Sequence, residues 1–174
     1  MKLLRVVLAS LVASGGLGIA GAAMADGPDV IRPAMAGPIV REETTLAQMR
    51  DWFGAPTVRR PVTVACSRVT KVRWGRRLEV YAWRDEGRHV AAVFVRKRSI
   101  HSSEHGDLRI HTRRGLRVGD SERRLRRLYP HSRPMTHAGH THYRLASGRF
   151  NAYLMGKVVD DEVVQLEIWP YEFC

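Results

Sequence analysis

GLRVGDSERRLRRLYP, residues 115–130, joins a helix start, an apolar stripe, an arginine face and a stop in one stretch. At about 100° per residue, Leu125, Leu128 and Tyr129 share one side of a helix, while Arg123, Arg124, Arg126 and Arg127 fan across the other. Asp120 or Ser121 is placed to cap the first amides, Asp120 and Glu122 suit the positive end of the helix dipole, and Pro130 cannot continue the helix. The stretch predicts a helix with one buried side and one cationic side.

An earlier segment lies over this one. TLAQMRDWFG (45–54) aligns with SERRLRRLYP (121–130), pairing Met49 with Leu125, Trp52 with Leu128 and Phe53 with Tyr129. Thr44 or Thr45 is the expected cap there, and Gly54-Ala55-Pro56 the expected end. Both segments precede runs of period two. Val62, Val64 and Cys66 alternate with polar neighbours, 69–74 suggests a second strand, and 78–83 and 90–95 flank a hairpin turn at Asp85-Glu86-Gly87. In the second half 141–145, 150–155 and 163–169 read as strands, with RLEVYAW (77–83) lying over RFNAYLM (149–155). The runs 96–112, apart from a short strand at Leu108 and Ile110, and 130–139 read as polar, histidine-bearing loops. Helix followed by hairpin, twice over, predicts an α+β chain of two units, 44–112 and 113–174.

The chain start reads differently. Lys2 and Arg5 precede an apolar, small-residue run from Val6 to Ala23, and Ala23-Met24-Ala25 before Asp26 has the form of a processing site. Residues 1–25 are expected to be a Sec-type signal peptide, which makes the protein secreted or periplasmic, with no integral membrane span after cleavage. Residues 26–43, with Pro28, Pro33, Gly37 and Pro38, read as an extended leader. Export puts Cys66 and Cys174, the two cysteines, in an oxidising compartment, where one disulfide joining them is the simplest expectation.

The chain holds 29 Lys and Arg against 17 Asp and Glu, a formal net charge of +12 that would attract an acidic protein or an anionic polymer, nucleic acid included. Charge is also segregated. Nine arginines lie between Arg109 and Arg133, whereas 158–174 holds five acids and neither lysine nor arginine. Arg123, Arg124, Arg126 and Arg127 are therefore candidates for a polyanion cradle, the alternative being a solvated helix side that only keeps the protein soluble. Tyr81, Trp83 and Tyr153 form the second candidate surface. Alternation sends Tyr81 and Trp83 away from Leu78, Val80 and Ala82, and Tyr153 and Met155 follow by the repeat, onto a sheet face that is either an exposed binding surface or a second core covered by loops.

Chemistry is less well marked. His137, His140 and His142 cluster in HAGHTH and His101, His105 and His111 form a looser set, but no HExxH or CxxC accompanies them, and no cofactor or metal is expected. Glu104 with His105 or His101 is where a ribonuclease-like acid–base pair would be sought. No Gly-rich phosphate loop and no GxSxG is present.

Gly115, Gly119, Asp120, Ser121, Leu125 and Tyr129, with Thr45, Leu46, Met49 and Gly54-Ala55-Pro56 as an earlier copy, resemble the tandem fold of the β-lactamase inhibitor protein and, more distantly, the small outer-membrane assembly lipoprotein. The resemblance spans about 44–174. It implies two helix-then-antiparallel-strand repeats forming one shared sheet with helices on one face, an open concave surface, and protein binding. Two departures stand out: one bridge would join the repeats instead of one lying within each, and no acylation cysteine follows the cut. No inhibitory residues are carried over. The chain thus reads as an exported, non-enzymatic binding protein using the arginine helix face or the aromatic sheet face. The alternatives are a small basic secreted ribonuclease-like enzyme or a structural envelope protein.

Overall fold

The structure, a computed structural model, describes residues 29–85, 87–148 and 152–170. The expected signal segment, the first residues of the leader and Cys174 lie outside these ranges. In chain order the elements are β1 (Val30–Arg32), β2 (Met35–Ala36), β3 (Ile39–Val40), α1 (Leu46–Phe53), β4 (Val58–Val64), β5 (Ser67–Trp74), β6 (Leu78–Trp83) and β7 (Val90–Val95). There follow β8 (Ile100–Ser102), β9 (Gly106–Leu108), β10 (His111–Thr112), α2 (Glu122–Leu128), β11 (Pro134–His137), β12 (His140–Gly148), β13 (Ala152–Val159) and β14 (Glu162–Pro170).

Strand makes up 54% and helix 11% of the described residues, so the fold is mostly β, which overturns the expected α+β class of two helix-and-strand repeats with helices on one face. Both helices stop early. Gly54, at φ +77°, ends α1 after eight residues, and α2 ends after seven with Pro130 close behind. Stretches expected as leader or loop fold into strands instead, giving three sheets. The largest is an eight-stranded antiparallel sheet in the order β11-β12-β13-β14-β7-β6-β5-β4, accompanied by a small sheet β10-β1-β2-β3 and a hairpin β8-β9. The large sheet consists of two four-strand meanders joined where β14 pairs with β7, through Leu166↔Val95, Glu167↔Phe94 and Ile168↔Val93.

Strand alternation divides the apolar residues between two sides of this sheet. Leu78, Val80, Val93, Val95, Leu154, Leu166 and Ile168 enter the larger core together with Met49 of α1 and Leu125 of α2. Val69, Ala92 and Phe94 form a smaller cluster, against which Tyr81, Trp83 and Trp169 pack. Full burial of each large apolar side chain contributes about 1.5–3 kcal/mol, so the larger cluster dominates stability. The expected leader belongs to it. Ile31, Ala36 and Ile39 are buried there, and β1 lies parallel to β10.

The helix ends form as their capping residues require. Thr45 Oγ1 accepts from the Gln48 amide, and the Gln48 side chain accepts from the Thr45 amide. Ser121 Oγ accepts from the Arg124 amide, making Ser121 the cap of α2. Asp120 beside it accepts from the Arg117 amide. Leu125 sits over Gly156 of β13, where a built Cβ would lie 3.3 Å from its Cδ1, so glycine permits this close approach. The HAGHTH run, expected as a loop, is the tip of the β11–β12 hairpin, with Ala138 at φ +48° and Gly139 at φ +74° in the left-handed geometry of a tight two-residue turn.

Candidate binding face

The side of the large sheet away from the helix-bearing core carries a polar row that crosses six strands. Directly paired residues place Arg144, Met155, Glu167, Phe94, Glu79 and Arg73 in line from β12 to β5. Glu79 is 1% exposed and Glu167 2% exposed. Buried carboxylates need partners, and each has several. Lys71 Nζ lies 3.0 Å and Arg96 Nη2 3.3 Å from Glu79 Oε1, while Arg73 Nη2 lies 2.8 Å from Oε2. Arg96 Nε donates to Gln165 Oε1 at 2.6 Å, and Gln165 Nε2 donates to Glu167 Oε1 at 2.8 Å. Trp169 Nε1 donates to Glu167 Oε2 at 2.5 Å, and His142 Nε2 lies 3.3 Å from Oε1. One continuous polar chain therefore links the two carboxylates across the β7–β14 seam.

Glu79 and His142 are both held away from their ordinary values. Burial pushes the Glu79 carboxyl up, but the hydrogen bonds from Lys71 and Arg73 and the nearby Arg96 charge outweigh it, leaving the group below the usual range. Burial pushes the His142 imidazole down, but the hydrogen bond and charge of Glu167 outweigh that and raise it.

Aromatic rings surround the row. Phe94 lies 5.0 Å from both Tyr81 and Trp169, edge to face in each case. Beside them Val64, Ala65, Met135, His137, Tyr153, Met155, Trp169 and Pro170 line a groove of about 480 Å³, with Arg144 at its edge. Met135 is 45% exposed, and the Arg144 guanidinium lies 4.9 Å from the Tyr153 ring centre. Of the sequence candidates, Tyr81 packs in the aromatic cluster, Trp83 Nε1 donates to Glu42 Oε2 at 2.7 Å, and Tyr153 lines the groove. The face is thus a packed aromatic floor with an open groove at one end. That combination can seat an apolar side chain and offers a cation at its rim.

The four arginines of α2 are all exposed and belong to the opposite side of the sheet, where Leu125 is buried. Arg124 is held by Asp120 at 3.1 Å and by the Gly115 carbonyl at 3.3 Å. The two candidate surfaces are therefore separated by the thickness of the sheet.

The remaining candidates do not converge. His101 pairs with Asp107 at 2.9 Å on the outer side of the β8–β9 hairpin, His105 packs edge-on against Trp52 with ring centres 5.0 Å apart, and Glu104 is exposed. His142 is buried against Glu167, and His137 lies 5.6 Å from it between ring centres. Among the described residues no group of three or more His, Cys, Asp or Glu is arranged around a metal position. Cys66 is not a free thiol, and its expected partner Cys174 lies outside the described residues. No helix among the described residues is long and apolar enough to cross a membrane. The buried glutamates were missed from sequence. Their signal is a lone acid between branched apolar residues, Leu78-Glu79-Val80 and Leu166-Glu167-Ile168.

No family model and no curated protein matches the chain. Among solved structures it is similar to an extracellular protein containing an SCP domain from Bacillus anthracis str. Ames, at 10% identity and a TM-score of 0.43, over 83% of this chain and 47% of that one. The chain spans about half the length of that protein, and a likeness this distant carries no argument about fold or function.

Proposed function

We propose that the chain is an exported, non-enzymatic binding protein that takes a protein partner in the groove between Met135 and Trp169. The observation that carries this is an exposed methionine beside tyrosine and tryptophan on a floor held by buried, fully partnered carboxylates. Aromatic residues, methionine and arginine are the types enriched where proteins meet, and a rigid floor lowers the ordering cost of binding. Arg144 at the rim suits a partner segment that pairs an apolar side chain with an acid. The expected Sec-type signal supplies the export, and a Cys66–Cys174 bridge would suit the oxidising compartment.

The test is capture of a defined partner from envelope extract by the processed protein and by Met135→Glu. Loss of that partner with M135E, and its retention by R123Q/R126Q/R127Q, supports the groove; equal capture by M135E rejects it. The α2 arginines remain the second reading, favoured by the exposure of Arg123, Arg126 and Arg127 with no ion pair to a carboxylate among the described residues.

A further inference from the structure

A different arginine cluster, which neither candidate surface includes, is assembled from three parts of the chain. Arg50 comes from α1, Arg59 and Arg60 from the edge strand β4, and Arg84 and Arg88 from the turn between β6 and β7. They line two neighbouring cavities of about 240 and 400 Å³ that share Arg59 and Arg88. All five are exposed. The acid that lines either cavity among the described residues is Asp85, and its carboxylate is engaged by His89, through the backbone amide at 3.4 Å and Nδ1 at 3.3 Å.

The contrast with the sheet face is informative. There the chain sets a buried glutamate among Lys71, Arg73 and Arg96. Here five arginines line adjoining cavities with no ion pair to a carboxylate among the described residues, Glu86 of the same turn lying outside them. Like charges brought together raise the energy of the folded state, and a bound anion relieves that cost. Arg88 also occupies a left-handed backbone position, φ +47°, which glycine would fill with less strain. Its carbonyl accepts from the Leu46 amide at 3.2 Å, which ties the turn to the start of α1 and brings Arg88 into both cavities.

We infer that this cleft is an anion-binding site for a linear oligophosphate. Guanidinium groups grip tetrahedral oxyanions through paired N–H donors and stay charged at any physiological pH. Two small cavities joined through shared arginines match phosphates linked directly to one another. A carboxylated glycan, with its charges a sugar apart, would leave several of the five unanswered. The site is independent of the groove beside Met135, which it neither requires nor supports.

The test uses the processed protein and sodium tripolyphosphate, with binding followed by calorimetry at low and moderate salt. R59Q/R88Q is expected to weaken binding by about tenfold or more, because charge-assisted hydrogen bonds are lost from both cavities. R123Q/R126Q/R127Q removes more charge yet is expected to stay within about twofold of the parent at moderate salt, since none of these arginines lines either cavity and salt screens exposed charges. If R59Q/R88Q fails to fold, R50Q/R60Q replaces it with the same expectation, since it removes one guanidinium from each cavity. Unchanged binding in the cleft variant, an equal loss in the α2 variant, or equally tight binding of the tricarboxylate tricarballylate would overturn the inference.

Discussion

Glu79 and Glu167 stand on either side of Phe94, each paired with it across the neighbouring strand, so one ring separates two buried carboxylates at the centre of the large sheet. The polar chain through Arg96 and Gln165 connects the two across that ring.

Acid should weaken the protein through Glu79. Its carboxyl lies below the ordinary range when folded, so its contribution is fully present above the unfolded value and is lost as pH falls through the folded one. The melting temperature should therefore drop on acidification more steeply for the parent than for Glu79→Gln. Parallel curves for the two would show that Glu79 is not the group responsible.

His142 should act in the opposite sense. Its folded value is raised, so its contribution is complete below the unfolded value near about 6.5 and disappears as pH rises through the folded one. His142→Gln should flatten the loss of stability on the alkaline side of neutrality. A proton-resonance titration that put His142 below the ordinary histidine range would refute the assignment.

Gly156→Val should be costly although it adds only apolar atoms. The new side chain would meet Leu125 and Leu145 at van der Waals distance or closer, and overpacking of this kind costs about 1–3 kcal/mol. Leu125→Ala at the same contact should cost about 2–5 kcal/mol, and denaturant unfolding reads both. If G156V were as stable as the parent, the close seating of α2 on β13 would be wrong.

Changing Arg123, Arg126 and Arg127 to glutamine should leave folding intact, since exposed charges contribute about 0–1 kcal/mol each. Retention on an anionic matrix should fall, and elution should move to lower salt. Unchanged elution would remove α2 as an anion surface.

Legibility in the sequence followed from how strongly neighbouring residues constrain one another. Helix α2 was readable because Ser121, Leu125 and Pro130 each signal the same element, and strands β6 and β7 because their apolar runs leave few other uses. The leader was misjudged because Ile31 and Ile39 sit among prolines and glycines, and strands of two or three residues are too short to show a period. The β11–β12 hairpin was hidden by its exposure: all four residues of β11 face solvent, leaving no alternation to detect. The arginine cleft could not be read at all, since Arg50, Arg59 and Arg88 meet only through tertiary structure. Of the groove, Tyr153 and Met155 were placed by the repeat, but Met135 and His137 came from the hairpin that read as a loop.

The seam between β7 and β14 also sets an order of events. Val90–Val95 is buried along its whole length; on one of its two edges Val90 bonds to Glu42 and Thr44, while Val93–Val95 pair with β14, a strand translated much later. Until that strand arrives, a chain emerging from ribosome or translocon exposes the Val93-Phe94-Val95 end of this edge, a ready template for pairing with another copy. Holding this nascent edge apart from its neighbours is thus a task for whatever escorts the polypeptide, and a version cut before β14 should be recovered as aggregate, not as a smaller native unit.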